Sequence, residues 1–129
     1  MIIKKEVITS RNNTLIKWVS SLHSKKGREE NGCFFAEGIK LVKEALEAKL
    51  PVTYIFLAQS KKSEYLDCIL KLCECDVYKN TEIVLLTDEV FEKISTENAP
   101  QGVLSVIKYL DFFSYIDIIS FLISYCFCS

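Results

Sequence analysis

Glycine and proline are scarce in this chain: four glycines and two prolines in 129 residues leave little material for a glycine-rich nucleotide loop. No G-x-x-x-x-G-K-[ST] phosphate loop, no G-x-G-x-x-G after a strand and no G-x-S-x-G elbow occurs. Histidine is scarcer still. His23 stands alone, far in sequence from the paired cysteines at 73/75 and 126/128, so neither a histidine-centred nucleophile nor a Cys/His metal set is assembled by the sequence. The six cysteines include Cys73-x-Cys75 and Cys126-x-Cys128, one residue short of the C-x-x-C spacing of zinc and redox sites. The opening MIIKKEV is too short an apolar stretch for a secretory signal, so reduced thiols and a cytoplasmic location are the expectation, with no metal.

What is present is globular: half the residues are hydrophobic and 26% are charged, enough for one domain with a real core. The net charge of −1 hides an uneven distribution. Residues 1–49 hold ten Lys/Arg against six Asp/Glu, and residues 50–129 hold six against eleven. An anionic partner is therefore to be sought in the first part.

Leu15, Trp18, Val19 and Leu22 recur at helical spacing after Asn12 and Asn13, either of which can cap the helix. KKGREENG (25–32) reads as a charged loop, and Cys33 to Ala36 as a short buried strand. EGIKLVKEALEA (37–48) predicts a helix begun by Glu37-Gly38 and stopped by Pro51, with Ile39, Val42 and Leu46 on one side. VTYIFLA (52–58) is β-branched and aromatic, hence a strand. A helix over 60–74 with Ser60 as cap follows; its inward face carries Leu66, Ile69, Leu70 and Cys73, with Cys68 and Cys73 packed as small apolar residues. Next come the strand EIVLLT (82–87), a short helix capped by Asp88, a Pro100-Gln101-Gly102 turn and the strand VLSVI. Strands alternating with helices predict an α/β layered sandwich around a mixed, partly parallel sheet.

Residues 109–129 differ in composition: 15 of 21 are apolar or aromatic. On a helical wheel Ser114, Asp117, Ser120 and Ser124 share one narrow arc. A membrane span with Asp117 near its middle is disfavoured against a helix packed on the domain or a segment lacking its partner. The wide apolar face also makes self-association through this segment an expectation.

The candidate chemistry is polar and basic. Lys17 lies on the first helix, Lys25, Lys26 and Arg28 follow it, and Lys40 and Lys43 add charge to the next helix. Lysine and arginine on surface elements suit phosphates, and Ser10 and Asn13 can reach a sugar hydroxyl or a base edge. Together these six early residues (Ser10, Asn13, Lys17, Lys25, Lys26 and Arg28) mark a candidate RNA face. Glu29-Glu30 beside these lysines reads as solvated charge, not as an acid/base pair.

Two blocks carry a resemblance. The first contains Ser10, Asn13, Ile16, Lys17, Lys26, Arg28, Phe34, Glu37, Gly38, Glu44, Ala45 and Leu46. The second contains Lys93 to Thr96 and Pro100 to Leu104. They resemble the two ends of the N-terminal substrate-binding domain of the SpoU (TrmH-type) RNA 2′-O-ribose methyltransferases, over residues 8–107. The resemblance implies a fold similar to kink-turn-binding ribosomal proteins and RNA, ribosomal RNA above all, as partner. In that family the strand after Pro-Gln-Gly leads into a knotted domain that binds S-adenosylmethionine. That domain's Asn-x-Gly and Ser-Leu-Asn segments do not occur in these 129 residues. The expectation is an RNA-binding domain over 1–108, an apolar tail over 109–129 where the catalytic domain would begin, as truncation would produce, and neither cofactor nor catalysis in this chain alone. Two alternatives stand beside it: a methyltransferase subunit completed by a partner, and a small membrane-associated protein anchored by the tail.

Overall fold

The computed structural model describes residues 1–98 and 100–108. Everything expected of residues 109–129, whether anchor, self-association or truncated tail, lies outside the described residues.

Five strands form one mixed sheet: β1 (Ile2–Ile3), β2 (Cys33–Glu37), β3 (Val52–Ala58), β4 (Glu82–Leu86) and β5 (Val103–Lys108), in the order β1-β4-β3-β5-β2. β1 and β3 run parallel to β4, whereas β5 is antiparallel to both β3 and β2. The expected layered α/β sandwich is what the chain adopts. Parallel pairs require crossovers that cover both faces of the sheet, and the helices supply them.

On one face α3 (Ile39–Glu47) and α4 (Lys62–Leu72) enclose Val42, Ala45, Leu46, Ile55, Leu57, Ile69, Ile83 and Leu85. On the other, α1 (Thr14–Ser21) and α5 (Asp88–Ile94) bury Ile16, Val19, Leu22, Phe91 and Ile94 over Phe56, Val84 and Leu104. The alternation along β3, with Ile55 and Leu57 in one core and Phe56 and Ala58 in the other, is the period of a strand covered twice. Tyr78 anchors the first core. Its buried hydroxyl donates to the carbonyls of Leu46 (3.2 Å) and Leu50 (2.9 Å), a second donor beside the backbone amides of Lys49 and Val52 that tie down the end of α3.

Several local expectations are corrected. The stretch read as a charged loop is a helix, α2 (Lys25–Asn31). Ser24 caps it by accepting from the Gly27 amide at 3.0 Å, and Gly32 ends it in the left-handed conformation at φ +63°. Gly27 is not loop punctuation. A Cβ there would stand 1.8 Å from the Ser21 carbonyl oxygen, so the glycine lets α2 pack against the end of α1. Glu37 does not begin α3; it ends β2, and Gly38 at φ +99° makes the turn between them. Ser60 sits in a 3₁₀ turn (Gln59–Lys61) ahead of α4 and caps nothing, while Thr87, not Asp88, caps α5. The inward arc of α1 is also rotated: Ile16 is buried, and Leu15 and Trp18 are half-buried at its margin.

Candidate nucleic-acid interface

The six sequence-predicted residues fall on the segment from the entry of α1 to α2, and the structure divides them by what their side chains do. Ser10 accepts from the Asn12 amide at 3.1 Å and is exposed. Asn13 is the cap of α1, accepting from the Leu15 amide at 2.9 Å, so its side-chain oxygen is engaged in the fold. Lys17 is exposed and makes no ion pair among the described residues. Lys25 and Lys26 pair with Glu29 (3.9 Å) and Glu30 (3.8 Å) one turn on along α2. Those four side chains are well exposed, and such pairs hold a few tenths of a kcal/mol each, so either lysine can turn to a phosphate. Arg28 points inward to the chain. Its guanidinium donates to the carbonyls of Leu22 (2.9 Å) and His23 (3.0 Å), closing the end of α1. The single histidine is likewise structural, with Nε2 donating to the Ile94 carbonyl at 2.8 Å.

Lys40 and Lys43 on α3 and Lys62 at the start of α4 also make no ion pair among the described residues. The charge pattern flagged the first two; Lys62 carried no signal of its own.

Sequence reasoning missed a clasp between the two resembling blocks. Glu37, leaving β2, accepts from the Ser95 hydroxyl, from the Thr96 amide at 2.9 Å and from the Thr96 hydroxyl at 3.2 Å. Gln101 returns the favour across the same gap, its Oε1 accepting from the Ile39 amide at 3.1 Å beside Gly38. The loop between Ser95 and Gln101 is thus tied at both ends to the β2–α3 junction. It stands at the carboxyl ends of β2 and β3, the edge where α/β sheets present their loops to ligands. Beside it is a small cleft of about 170 Å³ bordered by Ser60, Lys61, Asp88, Glu92 and Pro100.

A family model described as the MRM3-like substrate binding domain matches residues 13–105. The chain belongs to that family. The fold of this substrate binding domain is shared with an rRNA methyltransferase from Sinorhizobium meliloti, at TM-score 0.67 and 23% identity over 84% of this chain and 38% of that one. It is shared too with an RNA 2′-O ribose methyltransferase, at TM-score 0.65 and 19% identity, covering 83% of this chain and 39% of that one. The SpoU methyltransferase AviRb from Streptomyces viridochromogenes, solved with its cofactor AdoMet, matches at TM-score 0.62 and 19% identity over 78% and 37%. The MRM3-like chain therefore spans well under half the length of these structures. No curated protein matches it.

Three of the four glycines close against the chain itself: a Cβ would meet Ser21 O at 1.8 Å from Gly27, Lys61 Cγ at 2.6 Å from Gly102, and Gln101 Oε1 at 3.3 Å from Gly38, whereas Gly32 faces open space. Among the described residues no three metal-ligating side chains converge, and no helix is long and apolar enough to cross a membrane.

Proposed function

We propose that this domain binds RNA, ribosomal RNA in particular, as the substrate-recognition part of a SpoU-type RNA 2′-O-methyltransferase. The observation that carries the reading is the family match over residues 13–105 to a substrate binding domain. The exposed, weakly paired or unpaired cations Lys17, Lys25 and Lys26 support it, because phosphate contacts need mobile positive charge and little else.

Lys17, Lys25 and Lys26 supply phosphate contacts, and Ser10 at the head of α1 reaches a sugar hydroxyl. Asn13 and Arg28 serve indirectly: one starts α1 and the other fastens its end to α2, so they hold the lysines in one arrangement. Methyl transfer requires a sulfonium carbon held in line with a ribose oxygen, and that chemistry belongs to a second, S-adenosylmethionine-binding domain. A cytoplasmic location is in keeping with an RNA partner of this kind.

Filter binding of a folded ribosomal RNA hairpin to the chain and to its Lys17→Ala/Lys25→Ala/Lys26→Ala variant tests the assignment. A drop of at least tenfold in affinity with unchanged circular dichroism is expected, each lysine adding roughly 0.5–1 kcal/mol. Equal binding by the two proteins refutes the placement.

A further inference from the structure

The end of the sheet opposite the clasp carries a second feature. Here β3 and β4 begin and β5 ends, with Tyr54 paired to Glu82 and Lys108 to Cys33 in the strand register. Among the described residues a shallow cleft of about 470 Å³ lies here, bordered by Trp18 of α1 and by Thr53, Tyr54, Asn80, Glu82 and Lys108. That volume falls in the range of about 300–1,000 Å³ found for small-ligand clefts.

Its walls are aromatic and its rim is polar. Trp18 and Tyr54 are both half-buried and meet edge to face with centroids 5.9 Å apart; Phe56 stacks behind Tyr54 at 5.7 Å. The indole is fixed from outside, its Nε1 donating to Asn31 Oδ1 at 3.1 Å, while Asn31 in turn donates to the Gly27 carbonyl at 2.7 Å. Trp18 is thereby braced by α2, the helix that carries Lys25 and Lys26. Burial, then the neighbouring Glu82 carboxylate, push the Tyr54 phenol up from its ordinary value, so the ring stays neutral at physiological pH.

The rim offers complementary groups. The Asn80 side chain makes no hydrogen bond among the described residues and is exposed, with donors and an acceptor free. Glu82 is neutralised by Lys4 at 3.1 Å. Lys108 is exposed and makes no ion pair among the described residues, so the cleft is left with a net positive charge. Lys17, the residue before Trp18 on α1, is exposed outside the cleft.

We infer that this cleft is a nucleobase subsite: an unpaired RNA base stacks on the Trp18–Tyr54 pair, its edge read by Asn80 and its phosphates met by Lys108 and Lys17. The inference rests on the RNA-binding reading above and deepens it. A rigid aromatic pair beside a free amide and free cations is what single-stranded nucleic acid engages, because every base has a π-face. A solely electrostatic patch needs no braced indole.

Trp18 is the only tryptophan in the chain, so its emission reports on this cleft alone. The full chain is titrated with single-stranded hexa-adenylate while binding is followed in parallel by anisotropy of a labelled oligomer. Expected is saturable quenching of Trp18 with the same midpoint as the anisotropy curve, and no quenching by an abasic oligomer of equal length. Tyr54→Ala weakens binding of the hexa-adenylate roughly tenfold, as loss of one base–aromatic stack does, and Tyr54→Phe restores it. Should Tyr54→Ala fail to fold, Lys108→Ala at the exposed rim serves, with a shallower salt dependence of binding by about one ion. Binding with silent Trp18 emission, or equal quenching by the abasic oligomer, overturns the base subsite and leaves the RNA reading standing. A silent Trp18 that a polypeptide ligand quenches instead assigns the cleft to protein docking and overturns it too. No binding of the hexa-adenylate by anisotropy overturns the base subsite, and the RNA reading falls with it only when the ribosomal RNA hairpin fails to bind as well.

Discussion

Removing the Glu37 carboxylate should loosen the Ser95–Gln101 loop and lower the stability of the whole domain. Three hydrogen bonds end on that carboxylate, two at 2.9 and 3.2 Å and one from the Ser95 hydroxyl. Bonds to a charged acceptor contribute about 1.5–3 kcal/mol each, but Glu37 is only half-buried and water can replace part of what is lost. A net loss of about 2 kcal/mol for Glu37→Ala is therefore expected, or roughly 8 °C in Tm for a domain of this size. Glu37→Gln should recover part of it, since its amide oxygen still accepts from Thr96. The loss is local in origin, so amide exchange at Thr96 should accelerate far more than at Ile55 in the centre of β3. Thermal melts followed by circular dichroism, together with native-state hydrogen exchange, measure both. A Tm within about 2 °C of the unsubstituted protein, or Thr96 protection unchanged, refutes the clasp.

Gly27→Ala should cost about 2 kcal/mol or more, because a methyl 1.8 Å from the Ser21 carbonyl forces α2 off α1; urea denaturation checks it, and near-neutral stability contradicts the packing. Tyr78→Phe removes one donor from the Leu46 and Leu50 carbonyls, which keep the backbone amides of Lys49 and Val52, and should lose about 1 kcal/mol in the same assay. Alkaline pH should destabilise the fold. Burial foremost, then Cys75, pushes the Cys73 thiol from 9.0 up to about 11, and burial likewise raises the Tyr78 phenol. A group raised in the folded state stabilises fully below its unfolded pKa, so Tm should hold up to pH 9 and fall as pH rises towards 11. Cys73→Ala should flatten that decline, and a Tm that rises through the window contradicts it. Isothermal titration of the chain with S-adenosylmethionine should show no binding, and micromolar affinity would contradict the assignment of methyl transfer to a separate domain.

Much of this architecture is legible along the chain because the signals are local. VTYIFLA declares itself a strand by β-branched and aromatic residues, and the structure places β3 over those same residues, Val52–Ala58. Asn13 is readable as a cap because the helical spacing begins just after it. What escaped has partners distant in sequence or too little length to show a period. α2 has no apolar stripe, and its glycine is demanded by Ser21, a contact visible only once two helices meet. β1 is two residues long. The Glu37 clasp joins positions 58 and 59 residues apart, so the motif residues were visible as a resemblance while the contact between them was not. Arg28 is a phosphate ligand by type, and nothing along the chain shows that its Nη1 also donates to two carbonyls at the end of α1.

The salt dependence of RNA affinity tests the central claim most directly. Equilibrium binding of the chain to a ribosomal RNA hairpin with an unpaired loop, measured from 50 to 200 mM salt, reports how many phosphates the protein neutralises. With Lys17, Lys25, Lys26 and Lys108 engaged, log K should fall against log salt with a slope of roughly −3, a loss of about 60-fold across that range. Absent binding, or affinity that ignores salt, would contradict the account.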